Sequence, residues 1–207
     1  MAILVGLMVV IGGITRLTGS GLSMVEWRPL IGTLPPLNND EWIRVFDLYK
    51  KSPEYAQLNF GISMDDFKRI FFWEYFHRLW GRLLGVFYIL PLIYFFLQKT
   101  IPSKYKIPLI GLGIVGGLQG IVGWWMVTSG LSQEPTVSQY RLAIHLFIAL
   151  RIFTCLIWLA HSLFLGTSKI KFRIPILIFA LIFLTIIAGA FVAGMNAGLL
   201  YNHFPLM

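Results

Sequence analysis

Apolar residues in this chain run in long blocks rather than alternating. Five blocks stand out: MAILVGLMVVIGGITR over 1–16, and longer stretches over 71–97, 106–128, 138–165 and 174–198. A helix that crosses a bilayer needs about 20 apolar residues, and the last four blocks reach that length. The first is short because the chain begins inside it, so further residues are expected upstream. It does not read as a secretory leader. A basic start is lacking, and Gly12-Gly13 and Arg16 follow where a small-residue cleavage site belongs. The pattern predicts an all-α, polytopic membrane helical bundle.

The polar connections set its orientation. The 98–106 loop carries Lys99, Lys104 and Lys106, and the 166–173 loop carries Lys169, Lys171 and Arg173. The 129–137 loop carries only Glu134. Basic loops stay on the cytoplasmic side, which puts the 129–137 loop and the long 17–70 loop outside. The second and fourth spans then both run inward. Within the outer loop, 41–50 and 63–70 read as amphipathic surface helices, and Trp27, Trp42 and Trp73 suit an interfacial belt. Gly19, Gly21, Pro29, Pro35-Pro36, Asn38-Asn39 and Pro53 mark its turns. A structured lid with no catalytic part is the plain reading of this loop.

Composition agrees. Hydrophobic residues make up 57% and mean hydropathy is +0.75, which excludes an ordinary soluble domain. Nearly all acids lie between Glu26 and Glu74, with only Glu134 beyond. The net charge of +8 falls largely in short loops, so it is a topology signal and not a nucleic-acid footprint. Cys155 is the single cysteine, so no intrachain disulfide and no cysteine-based metal site is available.

A weak internal repeat crosses these blocks. MVVIGGITRLTGSGLSM resembles TIIAGAFVAGMNAGLLY at an offset of 177, matching Gly12 with Gly189, Gly21 with Gly198 and Leu22 with Leu199. Pro29-Leu30 echoes Pro205-Leu206. Residues 1–165 would form one four-helix unit, 174–198 the first helix of an incomplete second unit, and 199–207 an external tail. Small residues such as Gly113, Gly116, Gly117 and Gly120, and Ala188, Gly189 and Ala193, mark close helix contacts.

Ionisable groups inside spans are costly and usually functional. His77 and His145 each lie roughly 10 Å below the start of their apolar block, on helices that are diagonal in an up-down bundle. Gly81 and Gly85 below His77, and Ala149 below His145, leave room for a flat ring. Two imidazoles at one depth can clamp a metal or a heme iron; alternatively each only bonds a neighbouring helix. Glu74, three residues before His77, can orient the imidazole, act as acid or base, stabilise positive charge, or simply pair with Arg78 or Arg141. Arg78, Arg82 and Arg141 can hold ligand carboxylates such as propionates, or snorkel to the interface. His161 reads as interfacial, His203 as solvated, and Gln119 as an interhelical hydrogen bonder. Arg151, deep in its span, has no evident partner.

The stretches GGITRLTGSGLSMVEWRPLIGTLPPL, EYFHRLWGRLLG, GLQGIVGWWMVTSGL, VSQYRLAIHL and AGMNAGLLYNHFPLM resemble the heme A synthase family of cytochrome oxidase assembly, in its proteobacterial and mitochondrial branch. That resemblance implies eight spans in two pseudo-symmetric halves. It implies a membrane oxidoreductase that converts heme O to heme A by oxidising a ring methyl to a formyl group. His77 and His145 match the first-half ligand pair at the substrate heme, and Glu74 matches the catalytic glutamate. The family's second-half pair holds a heme b, and this sequence stops after the fifth span, before those helices. A homo-oligomer or a second chain would supply the missing half. The resemblance implies a bacterial or mitochondrial inner membrane and names no electron donor. The alternatives are a non-catalytic b-type cytochrome or heme-carrying subunit, an inactive fragment, and a transporter or structural subunit.

Overall fold

The computed structural model describes residues 1–27, 33–132, 134–166 and 173–199. It is all-helical over these residues. Helix α1 spans Ala2–Leu17, α2 Asn39–Tyr49, α3 Pro53–Gln57, α4 Met64–Leu97, α5 Ser103–Thr128, α6 Gln139–Phe164 and α7 Arg173–Gly194, and a 3-10 turn follows at Ala197–Leu199. Four of these (α4, α5, α6 and residues Ile176–Gly194 of α7) are long and apolar enough to cross a membrane, and α1 is a shorter apolar helix.

The four-helix unit closes on itself. Helix α1 packs on α4, α4 on α5, α5 on α6, and α6 back on α1. The order makes α4 and α6 diagonal, as the up-down pattern predicts. Helix α7 packs on α6, outside this ring. Polar ties pin the seams: Trp80 Nε1 donates to the Leu4 carbonyl at 3.1 Å, Tyr88 to the Leu109 carbonyl at 2.7 Å, and Tyr105 meets Ser162 at 2.9 Å. Arg16 donates to the Ala193 carbonyl at 2.6 Å and so caps the end of α7 from the end of α1. The two residues are separated by 177 positions, the offset of the sequence repeat.

Two expectations need correction. The 63–70 stretch is not a separate surface helix, because α4 begins at Met64 and runs unbroken for 34 residues. Its start has a specific cause. Ser63 accepts from the Asp66 backbone N–H at 3.1 Å and contacts the Asp66 carboxylate at 2.7 Å, and Asp65 and Asp66 complement the helix dipole. Apolarity marked where the membrane portion begins, while the cap marks where the helix begins. The fifth block also ends early, since α7 stops at Gly194 and a turn through Asn196, at φ 53°, breaks it from the 3-10 segment. The tail at 200–207, with His203, and the Lys169–Lys171 and Pro29-Leu30 stretches lie outside the described residues.

An aromatic layer covers the loop-bearing end of the bundle. Phe46 and Tyr49 from α2 pack on Phe67 and Phe71 from the projecting turns of α4, with Trp42, Tyr55 and Tyr75 around them. Asn38 caps α2 through the Glu41 N–H at 2.8 Å, and Ser52 caps α3 with Pro53 in its first turn. Gly19, at φ +62°, lets the chain reverse after α1.

Glu54 is buried in this layer and hydrogen-bonded to Tyr49, while its Oε2 has no partner among the described residues. Burial, aided by the charge of Glu74 and opposed by the Tyr49 bond, pushes the Glu54 pKa up to about 7. From the ordinary carboxyl range up to about pH 7, the native chain keeps a proton that the unfolded chain releases. Stability from this site is therefore complete at acid pH and lost as pH rises through the window. Glu54→Gln should stabilise the protein by about 1–3 kcal/mol at pH 8 and by nothing at pH 4. Thermal unfolding in detergent at the two pH values tests this, and an equal gain at both would refute the burial explanation.

Candidate functional site

The end of the bundle under the aromatic layer gathers the candidate residues around α5. Arg78 lies over the Trp124 ring at 5.8 Å, and the next residue, Gly123, packs against His145. Because Arg78 adjoins His77 in α4, the two histidines stand at one level of the bundle. Helix starts are a poorer gauge of that level. His145 is roughly 9 Å along α6, whereas His77 is roughly 20 Å along α4, since the first turns of α4 project out of the bundle.

Each imidazole rests on a glycine of a neighbouring helix. A Cβ built on Gly12 of α1 would lie 3.3 Å from His77 Nε2, and one on Gly123 of α5 would lie 3.0 Å from His145 Cε1. The rings therefore fill space that any larger residue would take. Both histidines are half-buried. Neither ring makes a hydrogen bond among the described residues, and His145 Nδ1 is buried without a partner. No group of three or more His, Cys, Asp or Glu converges on a metal position among the described residues. Each imidazole could supply one nitrogen ligand to an iron. Gly85 of α4 and Gly116, Gly117 and Gly120 of α5 have no atom near their missing side chains, so their faces are open. By contrast, Met8 stands 3.4 Å from the Gly81 position, so the strip below His77 is open only at Gly85.

Glu74 is held more firmly than any other charged residue near the site. It is 3% exposed. Its Oε2 accepts from Ser23 Oγ at 2.7 Å and from the Met24 N–H at 2.8 Å, and its Oε1 accepts from Arg78 at 2.5 Å. Arg78 also donates to the Met24 carbonyl at 2.8 Å and the Glu26 carbonyl at 3.2 Å. The strand after α1 is thereby stitched to α4. Trp27 completes it by stacking on Trp124 at 5.6 Å and 11°, so Trp124 is flanked by an indole and a guanidinium.

The other arginines divide. Arg82 lines a cleft of about 330 Å³ together with Arg78, Arg44, Glu26, Asn38 and Phe71. The cleft lies between the outer segment and α4, and its lining mixes polar and apolar groups. Arg141 instead caps α5, donating to the Trp125 carbonyl at 2.6 Å and to Thr128 at 3.3 Å, and packs on the Trp125 ring. Helix ends attract such cations. Arg151 is exposed midway along α6. Gln119 bonds the His145 carbonyl at 2.8 Å, the interhelical role expected of it. Sequence reasoning did not find Ser23, Met24, Trp124, Gly12 or Gly123. The signal that could have found the first two is TGSGLSM, a polar, small-residue run directly after an apolar helix.

A sequence profile for the cytochrome oxidase assembly protein family matches residues 1–207. The chain belongs to that family. Among curated members it is 45% identical to the heme A synthase of Nitrosospira multiformis over 212 residues, covering 99% of this chain and 60% of that protein. It is 48% identical to the heme A synthase of Parvibaculum lavamentivorans, covering 100% of this chain and 61% of that one. For the heme A synthase of Granulibacter bethesdensis the identity is 49%, over 97% of this chain and 55% of the relative. This family member thus spans about 60% of the length of the curated relatives it matches. No solved structure matches it.

The clamp on Glu74 has measurable strength. Arg78→Met leaves a buried carboxylate without its counter-ion and should cost about 3–5 kcal/mol. Ser23→Ala should cost about 1–3 kcal/mol. Adding Glu74→Gln to Arg78→Met should recover part of the loss. Thermal unfolding of wild type, Arg78→Met, Glu74→Gln and the double variant tests the coupling, and strictly additive effects would mean that the pair does not interact.

Proposed function

We propose that this chain carries the first histidine-bearing unit of a membrane oxidoreductase that converts heme O to heme A, for cytochrome oxidase assembly. One observation carries most of the weight. His77 and His145 sit on diagonal helices at one level, half-buried, with rings free of hydrogen bonds among the described residues. Buried imidazoles normally find partners, so a pair without them fits residues kept for a ligand. The names of the similar heme A synthases support the choice of ligand.

In this reading heme O is the substrate. His77 and His145, which pack on Gly12 and Gly123, would hold its iron. The ring methyl becomes a formyl group: the carbon exchanges two hydrogens for one oxygen, a four-electron oxidation that balances with dioxygen as oxidant and one water released, or with water as oxygen source and an external electron acceptor. Glu74 lies one helical turn above His77 on the same face, where its carboxylate stabilises positive charge at the reacting edge or takes up a proton. Arg78 and Arg82 meet the propionates through the cleft they line, and Arg141 holds the end of α5 in place. The unit lies in a bacterial inner membrane with the 17–70 loop on the outer face. Residues 1–165 are the working unit, and α7 opens a second unit.

A second reading has one observation in its favour. Both Glu74 oxygens are occupied by Ser23, Met24 and Arg78. A purely structural glutamate is what a heme-carrying b-type subunit would need.

Heme extraction separates the two. The full chain is produced in cells that make heme O, as wild type and as His77→Ala, His145→Ala and Glu74→Gln. Loss of the Soret band is expected in each histidine variant. The Glu74→Gln form should keep its Soret band while heme A falls roughly 100-fold or more. Undiminished heme A in that variant would reject the catalytic role of Glu74. A wild-type protein that stays colourless after heme supplementation would reject both readings and favour a transport or structural subunit.

A further inference from the structure

We infer that Gln119 is a positioning residue for His145, accepting a hydrogen bond from the ring Nδ1–H and so reserving Nε2 as the free nitrogen. Two buried polar atoms on the α5–α6 seam have no partner among the described residues: Gln119 Oε1 and His145 Nδ1. Buried groups left unpaired are rare and costly, and here an acceptor and a potential donor are orphaned on two residues already joined by a hydrogen bond.

The geometry brings them together. Gln119 and Gly123 are four residues apart in α5 and so share one helix face. The Gly123 position touches the His145 ring, with Cε1 at 3.0 Å and Nδ1 at 3.6 Å from a built Cβ. Gln119 is fixed to the same residue through its amide nitrogen, which donates to the His145 carbonyl at 2.8 Å. That bond also settles which way the amide faces. A flipped amide would set oxygen against oxygen, so the nitrogen must meet the carbonyl and Oε1 must occupy the other branch. Oε1 is thus a free acceptor on the residue that already bonds the His145 backbone, and Nδ1 is a ring nitrogen that can donate. A small adjustment of the imidazole, or one bridging water, completes the contact.

The consequence is chemical. A neutral imidazole carries one proton. If Nδ1 holds it, Nε2 keeps its lone pair; if Nε2 holds it, the ring cannot ligate through Nε2 without a tautomer change. Ligating histidines are commonly fixed in this way by an acceptor at the other nitrogen. The purpose assigned to Gln119 rests on reading His145 as a heme ligand. Its contact with the ring does not.

The test uses the full chain with 15N-labelled histidine, in which ring-nitrogen NMR reports the tautomer and His145→Ala assigns the signal. Wild type should show the proton on Nδ1. Gln119→Leu should lose this preference and weaken heme uptake, followed by the Soret band, roughly 10–100-fold. Gln119→Glu should restore both, because a protonated carboxyl offers the same one donor and one acceptor. A residue that only ties the helices together would leave the tautomer unchanged. Wild-type His145 with its proton on Nε2, or the same tautomer in wild type and Gln119→Leu, overturns the inference. The wild-type measurement alone decides should Gln119→Leu fail to fold. A chain that binds no heme yet loses the tautomer in Gln119→Leu sinks the functional reading and leaves this inference standing. Heme uptake that depends on His145 but not on Gln119 does the reverse.

Discussion

A single buried carboxylate organises the loop-bearing end of this protein. Glu74 can stay under the outer layer only because its lone pairs are met from two directions. Ser23 and the Met24 N–H approach from the strand that leaves α1, and Arg78 from the next turn of α4. Satisfying the charge forces that strand down onto the bundle. The strand in turn brings Trp27 onto Trp124 and Leu22 against Gly130, where a built Cβ would clash at 2.7 Å. The lid is therefore not a loose cover, and the two histidines lie directly beneath what it holds.

Much of this was legible in the chain. Long apolar blocks gave α1 and the four longer spans, because membrane burial rewards apolarity all round a helix. Alternating direction then made α4 and α6 diagonal, and closure of the ring through α1 and α6 bears that out. The start of α4 was not read, because its cap at Ser63 and its charged first turns lie outside the apolar block. Hydropathy reports where lipid begins and cannot report where backbone hydrogen bonding begins.

The site was legible by residue type more than by role. His77, His145 and Glu74 stand out because ionisable groups are rare within spans. Which atoms satisfy them depends on chain reversal at Gly19, a tertiary event with no periodic signature. Gly123 belongs to the run of α5 glycines read as helix contacts, and Gly12 was read only as a repeat match; in the structure both receive imidazoles. A missing side chain looks the same in sequence whether it admits a helix or a ring.

Helix α4 is one rod from the aromatic layer to the far end of the bundle. An α-helix is stiff along its axis, so Phe67 and Phe71 cannot be pushed without moving His77. Anything that presses on the outer layer acts on the imidazole as through a lever, and the segment carrying Ser23 and Trp27, bonded through its own backbone to Glu74 and Arg78 of the same rod, travels with it.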